Sequence, residues 1–128
     1  MKKIVTLCLL FILLIINSGC NKKRELVCSK RDDSKTSTNY ITLSYENKKL
    51  INIQYKTVYD NVDDAKTMCE FFNEIYGEIS TVIQYKCNSN SIEYSGTLDD
   101  LKITLLGDSK TDIKSAKEYL ENNGIVCK

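Results

Sequence analysis

An alternation of apolar and polar residues on both sides of a short turn is the feature that most constrains the fold of this chain. Apolar side chains recur at every second position before and after Asn47-Lys48, at Ile41, Leu43 and Tyr45 and then at Ile51, Ile53 and Tyr55. Successive side chains of a strand point to opposite faces, so this period predicts an antiparallel hairpin with one buried face and one solvated face. Asn tolerates the positive φ that a tight hairpin turn requires.

Two amphipathic helices are predicted from a wider spacing of apolar residues. The first, at 62–76, has an apolar stripe formed by Val62, Ala65, Met68, Cys69, Phe72, Ile75 and Tyr76. Asn61 is a suitable N-cap for it, and Gly77 a suitable C-terminal stop. The second, at 112–122, carries Ile113, Ala116 and Leu120 on one face and ends at Gly124.

The remaining segments complete an α+β domain. We predict a strand at 25–30, a polar loop at 29–39, a second hairpin with arms at 83–87 and 92–96, and an edge strand at 125–127. The segment 101–105 fits either a strand or one helical turn, and its periodicity favours the strand. The predicted fold is a mainly antiparallel sheet of two hairpins with two amphipathic helices packed on one face.

The first twenty residues predict export and a lipid anchor. Met1-Lys2-Lys3 is basic, and the thirteen residues of 4–16 are mostly apolar, which is fewer than the roughly 20 that span a bilayer core. This combination is typical of a cleaved secretory signal. Asn17-Ser18-Gly19-Cys20 resembles a bacterial lipobox, in which the cysteine is diacylated and becomes the new N-terminus, although Asn17 stands where Leu is usual.

The chain is therefore expected to have three segments and an extracytoplasmic location. We predict a lipoprotein signal peptide at 1–19, a lipidated tether at 20–24 and a single α+β domain at 25–128, with diacylglycerol and acyl chains such as palmitate on Cys20. Lys22, Lys23 and Arg24 either contact anionic headgroups or form a solvated tether. An ordinary signal peptide or an uncleaved anchor is the alternative.

Four cysteines remain after the predicted signal peptide and Cys20 are set aside. An even number in an exported chain predicts two disulfides, and of the three possible pairings we favour Cys28–Cys127 with Cys69–Cys87, because closing the long loop stabilises most. Buried free thiols remain an alternative. A zinc site formed by four thiolates is another, although the short Cys-x-x-Cys spacing is missing.

Composition limits the chemistry that the chain can perform. The sequence has no His, which excludes Ser-His-Asp and Cys-His catalysis. Without residues 1–19, which carry two Lys, the chain has 16 basic and 17 acidic side chains and a net charge of −1, and this mixed, near-neutral balance gives no electrostatic footprint for nucleic acid. The acidic clusters Asp63-Asp64, Asp99-Asp100 and Asp108 with Asp112 lack the spacing of a calcium loop, and we predict that they cap helices. We predict no cofactor and no enzymatic activity.

Tyrosines in the predicted strands could form an aromatic platform for a glycan or a peptide. Tyr45, Tyr55, Tyr85 and Tyr94 share a predicted face with Ile or Leu, which favours the core for these four. Tyr40 falls on the polar side.

The arrangement resembles small Firmicutes lipoproteins of the YehR-like type. The resemblance lies in the lipobox, the Tyr-rich hairpin at 40–59, the helix at 63–76 and the closing helix before Gly124-Ile125-Val126-Cys127-Lys128. It implies an uncharacterised α+β lipoprotein and no catalytic residues.

Two functional hypotheses follow from these features. The first is a non-enzymatic lipoprotein, anchored in the membrane through its lipid, that binds an unknown protein or envelope ligand and no nucleic acid. The second is an inhibitor or immunity-type protein that blocks an extracellular enzyme through a loop such as 29–39, since a rigid small domain binds at a low entropic cost. An envelope enzyme that uses carboxylates alone is a weaker third hypothesis.

Overall fold

The computed structural model describes residues 22–76 and 83–128, which form a six-stranded antiparallel sheet and three α-helices. The strands are β1 (Lys23–Asp32), β2 (Ser37–Glu46), β3 (Lys49–Tyr59), β4 (Gln84–Cys87), β5 (Ser91–Ser95) and β6 (Val126–Cys127). The helices are α1 (Val62–Tyr76), α2 (Leu98–Leu106) and α3 (Ile113–Asn122). The strand order across the sheet is β4-β5-β3-β2-β1-β6. The α+β class is confirmed.

All three helices pack on one face of the sheet. One core cluster joins β1, β2 and β3 to α2 and α3 through Leu43, Leu106 and Leu120. A second, smaller cluster joins β3 and β5 to α1. Tyr55 packs on the first cluster and Tyr94 on the second, and their rings stack at 4.6 Å because the two residues are cross-strand partners. Cross-strand partners point to the same face, so both clusters lie on one side of the sheet.

The polar loop predicted at 29–39 is wrong. β1 extends to Asp32, β2 starts at Ser37, and the connection is a single 3₁₀ turn at Asp33–Lys35. The pattern misled because both faces of these strand ends carry polar residues. On the helix side Ser37 is buried, and Asn39 Oδ1 accepts a 2.7 Å hydrogen bond from Thr57, so no apolar alternation marks the strands here. β1 also begins at Lys23, so residues 23 and 24 of the predicted tether belong to the first strand.

The central hairpin of β2 and β3 is confirmed, with one irregularity. Asn47 and Lys48 both have positive φ, at 50° and 66°, as a two-residue hairpin turn requires. The register shifts after Ser44, so that Tyr45 pairs with Leu50. Ile51 is therefore outside the buried row in which the alternation placed it, and 45% of its surface is exposed.

The segment predicted as a strand at 101–105 is instead part of α2, so the fold has three helices and not two. Thr97 caps the helix: the backbone N–H of Asp100 donates to Thr97 Oγ1 over 3.2 Å. Leu101 and Leu106 are buried on the core side, whereas 67% of Ile103 is exposed. The apparent period of two came from three aliphatic residues of which the middle one faces solvent.

The other two helices and both disulfides match their predictions. Asp64 N–H donates to Asn61 Oδ1 over 2.8 Å at the start of α1, and Ser115 N–H donates to Asp112 Oδ2 over 3.1 Å at the start of α3. Gly124 follows α3 with a φ of 80°, while the stop predicted at Gly77 lies outside the described residues. The disulfides are Cys28–Cys127, between β1 and β6, and Cys69–Cys87, between α1 and β4.

Candidate functional site

The face of the sheet opposite the helices forms the larger candidate surface, and we call it the open face. It includes alternate residues of the strands: Glu25, Val27, Ser29, Arg31, Thr38, Tyr40, Thr42, Ser44, Asn52, Gln54, Lys56, Val58, Gln84, Lys86, Ser91, Glu93, Ser95 and Val126. None of these side chains is buried. Hydroxyl and amide groups dominate the set, so this face offers hydrogen bonds in many directions and little apolar surface.

A row of cross-strand partners crosses the middle of the open face. Ser29, Tyr40, Lys56, Glu93 and Lys86 follow one another from β1 to β4. Lys56 Nζ lies 5.8 Å from the centre of the Tyr40 ring, within range of a cation–π interaction. The row therefore combines one aromatic ring with charges of alternating sign, so it has little net charge.

A groove of about 350 Å³ lies beside this row. It lies where β3 continues past β5: the two strands pair only at residues 55–58 of β3, and after Ser95 the chain passes through Gly96 and Thr97 into α2. Its polar wall includes Tyr40, Gln54 and Glu93, and its apolar residues are Ile53, Tyr55, Tyr94 and Leu101. This size is at the lower limit of small-molecule sites.

The turn between β1 and β2, residues 32–36, forms a second candidate surface that we call the distal turn. Arg31 donates two hydrogen bonds of 2.6 Å to the carboxylate of Asp60 and one of 3.0 Å to Asp33. The hydrogen bonds to Asp60, and to a smaller extent the one to Asp33, raise the pKa of the Arg31 guanidinium. The hydrogen bonds from Arg31 lower the pKa of the Asp60 carboxyl. Asp33 itself is 91% exposed at its side chain, so the network holds an acidic tip out in solvent.

Thr36 holds the distal turn in an unusual backbone conformation. Its φ of 49° and ψ of 44° are left-handed, which is rare for a β-branched residue. Its carbonyl accepts a 2.9 Å hydrogen bond from Asp60 N–H, and its hydroxyl donates over 2.6 Å to Asp64 Oδ2. These two hydrogen bonds hold Thr36 in its strained conformation. Backbone strain that is maintained by surrounding contacts in this way is found most often at functional positions.

The residues singled out from sequence are distributed over the fold. Tyr45 and Tyr59 are buried and Tyr55, Tyr85 and Tyr94 are partly buried on the helix side, whereas Tyr40 lies on the open face. Burial raises the pKa of Tyr45, Tyr55 and Tyr59. Asp64, Asp100 and Asp112 take part in helix capping as predicted. Cys20 lies outside the described residues.

Metal-binding clusters and membrane-spanning helices are both absent from the described residues. Over residues 22–76 and 83–128, no group of three or more Cys, Asp or Glu side chains is arranged to hold a metal ion. In the same ranges no helix is both long and apolar enough to cross a membrane.

The sequence did not predict the network of the distal turn. Arg31 and Asp60 are 29 residues apart, and the chain carries no local pattern that connects them. A prediction that the first strand pairs with β2 beside β3 would have brought them together, but the loop predicted at 29–39 left no strand at Arg31.

Comparisons with known proteins leave the function open. A scan against protein-family models, a search of curated proteins and a search of solved structures each found no match. The resemblance to YehR-like lipoproteins therefore stays a prediction.

Proposed function

We propose that the chain is a membrane-anchored extracytoplasmic lipoprotein that binds a polar envelope ligand without enzymatic activity. Cleavage before Cys20 and diacylation of that residue supply the anchor, and kinship with YehR-like lipoproteins is part of the same proposal. The observation that supports binding best is the open face: a six-stranded sheet leaves one whole side uncovered by any described helix.

The chemistry of the open face favours a polar ligand of low net charge. Tyr40 supplies an aromatic ring, and the neighbouring hydroxyl and amide side chains supply donors and acceptors of hydrogen bonds. Because the charges of Lys56, Glu93 and Lys86 alternate in sign, this row repels neither anionic nor cationic ligands strongly. A glycan strand or a peptide of the cell envelope meets these requirements.

Photocrosslinking in intact cells tests this function. A photoreactive phenylalanine analogue at position 40 should form an adduct, and the same analogue at Phe71, which is 49% exposed on α1, should not. Digestion of the adduct with a muramidase or a protease then identifies its class. Equal adducts at both positions, or none at position 40, would contradict the assignment of the open face.

A second candidate function, inhibition of an extracellular enzyme, is favoured by the distal turn. The turn is held rigid by Arg31, Asp60 and Thr36 and presents exposed residues at its tip, as a pre-organised inhibitory element should. The purified protein should then inhibit an envelope hydrolase, and Ser34→Trp at the tip should abolish the inhibition while Lys66→Trp on α1 does not. If the Ser34→Trp variant inhibits as well as the wild type, the turn is not the contact.

A further inference from the structure

Basic side chains gather at the end of the sheet where β1 begins. We call this cluster the basic end; it comprises Lys22, Lys23, Arg24, Lys48 and Lys49. The backbone N–H of Asn47 donates to the carbonyl oxygen of Lys22 over 3.1 Å, which fixes the β2–β3 turn beside the first described residue. The fold thus brings together two basic segments that are separated by more than twenty residues in sequence.

Two depressions join these segments to the helix layer. Arg24 and Lys48 line one of about 170 Å³ together with Tyr45, Asp112 and Ile113. Lys48 and Lys49 line another of about 540 Å³, which also includes Leu50, Leu98 and Lys102. Lys102 therefore extends the basic surface onto α2.

Positive charge exceeds negative charge at this end. All five side chains of the basic end are exposed, and none forms an ion pair with another described residue. Four carboxylates lie nearby, against six basic side chains when Lys102 is included. Glu25 follows Arg24 in β1, and Glu46 pairs in the sheet with Lys23 and Lys49. Asp99 lies 3.5 Å from Lys102 Nζ, and Asp112 caps α3.

The opposite end of the sheet has the reverse character. Asp32, Asp33, Asp60 and Asp64 surround the distal turn, where Arg31 and Lys35 form its ion pairs. The ten residues of β1 separate the two ends by about 30 Å at roughly 3.3 Å per residue. The protein is thus electrostatically polarised along its strands.

We propose that the basic end lies against the anionic lipid headgroups of the membrane and orients the domain upon it. The inference rests on the proposed lipid anchor: only Asn21 lies between Cys20 and Lys22, and these two steps of the chain span no more than about 7 Å. Each basic residue near an anionic surface strengthens binding roughly fivefold. Such contact directs the distal turn about 30 Å outward from the headgroups.

Lysine reactivity in the reconstituted full-length protein tests this orientation. Protein purified from its native membrane is placed in zwitterionic phosphatidylcholine vesicles or in vesicles with about one-third phosphatidylglycerol, and is treated with a neutral acetylating reagent. Lys48 and Lys49 should react at least fivefold more slowly on the anionic vesicles, and high salt should remove the difference. Lys66 and Lys86, which are exposed on α1 and β4, serve as internal controls.

Charge reversal supplies a matched second measurement. In K48E/K49E the protection of Lys102 on anionic vesicles should disappear, whereas K66E/K86E, which changes the net charge equally, should retain it. If Lys48 and Lys49 follow the controls on both kinds of vesicle, the inference is wrong.

The intact mass of the same preparation separates this inference from the proposed anchor. A mass that lacks the diacylglycerol on Cys20 would refute the proposed anchor but not the role of the basic end. Sedimentation of the unlipidated protein with anionic vesicles would then test whether the basic end binds the headgroups. K48E/K49E should then bind at least 30-fold more weakly than either the wild type or K66E/K86E. Equal sedimentation of all three proteins would overturn the inference in the absence of an anchor.

Discussion

Cys28 and Cys127 lie directly opposite each other on β1 and β6, with Cα atoms 4.0 Å apart and a disulfide bond between them. β6 has only two residues and pairs with β1 only at Cys28 and Ser29. So short a strand contributes few hydrogen bonds, and the covalent bond therefore does most to hold the C-terminus on the sheet. Cys28 is also fully buried, so the bond is part of the main core.

Loss of the Cys28–Cys127 bond should destabilise the protein more than loss of the Cys69–Cys87 bond. The sequence separations are 99 and 18, and loop-closure entropy predicts losses of about 5 and about 3 kcal/mol respectively. Urea unfolding of the C28A/C127A and C69A/C87A variants measures both. A smaller loss for C28A/C127A would mean that the denatured chain keeps these ends together without the bond.

Two aliphatic positions of α2 should differ sharply in their effect on stability. Leu106 is fully buried, so Leu106→Ala should lower the free energy of unfolding by about 2–5 kcal/mol. Ile103 is 67% exposed, so Ile103→Ala should change it by less than about 0.5 kcal/mol. Thermal or urea unfolding of both variants checks the helix assignment, since a strand at 101–105 would place Leu101, Ile103 and Leu105 on a common face.

Local patterns in the sequence were sufficient for much of the fold. The alternation around Asn47 predicted the central hairpin, the apolar stripe predicted α1, and the count of cysteines together with loop length predicted both disulfides. The hairpin and the helix are marked by residues that lie close together in the sequence, and the disulfides are limited to a few possible pairings of four cysteines. Tyr40 was likewise assigned to the polar side by parity alone.

Features that depend on tertiary context were not predictable in this way. Over only five residues, the spacing of Leu101, Ile103 and Leu105 fits the period of a strand and also that of a helix. The Thr97 cap and the packing of Leu106 in the core decide for a helix. The bulge that exposes Ile51 has no signal in the alternation. The distal turn and the basic end each unite residues more than twenty positions apart, so neither is visible before the strand order is known.

Two tyrosines of β2 should show which face of the sheet is covered. Tyr45 is 2% exposed and donates its hydroxyl to the carbonyl of Thr111 over 2.8 Å, so Tyr45→Ala should destabilise by about 3–5 kcal/mol. Tyr40 points to the open face, and Tyr40→Ala should cost less than about 1 kcal/mol. Similar losses in chemical denaturation would indicate that the open face is covered in solution.

Acid should weaken the protein partly through Asp60. The Arg31 guanidinium lowers the pKa of this carboxyl in the folded state below its ordinary value of 3.8. As the pH falls through 3.8, the unfolded chain binds a proton at Asp60 before the folded chain does, so the stabilisation by the ion pair is lost below that pH. Asp60→Asn should therefore be less stable at neutral pH and lose less stability between pH 5 and pH 2 than the wild type.

Urea midpoints measured across this range test the prediction, with Asp108→Asn as the control. Asp108 forms no ion pair with a described residue, so Asp108→Asn removes one carboxylate as Asp60→Asn does but breaks no ion pair. Asp32 and Asp112 also have lowered pKa values, through hydrogen bonds from Ser34 and Ser115, so Asp60→Asn should reduce the acid sensitivity without abolishing it. Parallel profiles for the wild type and Asp60→Asn would show that the Arg31–Asp60 pair does not contribute to folding.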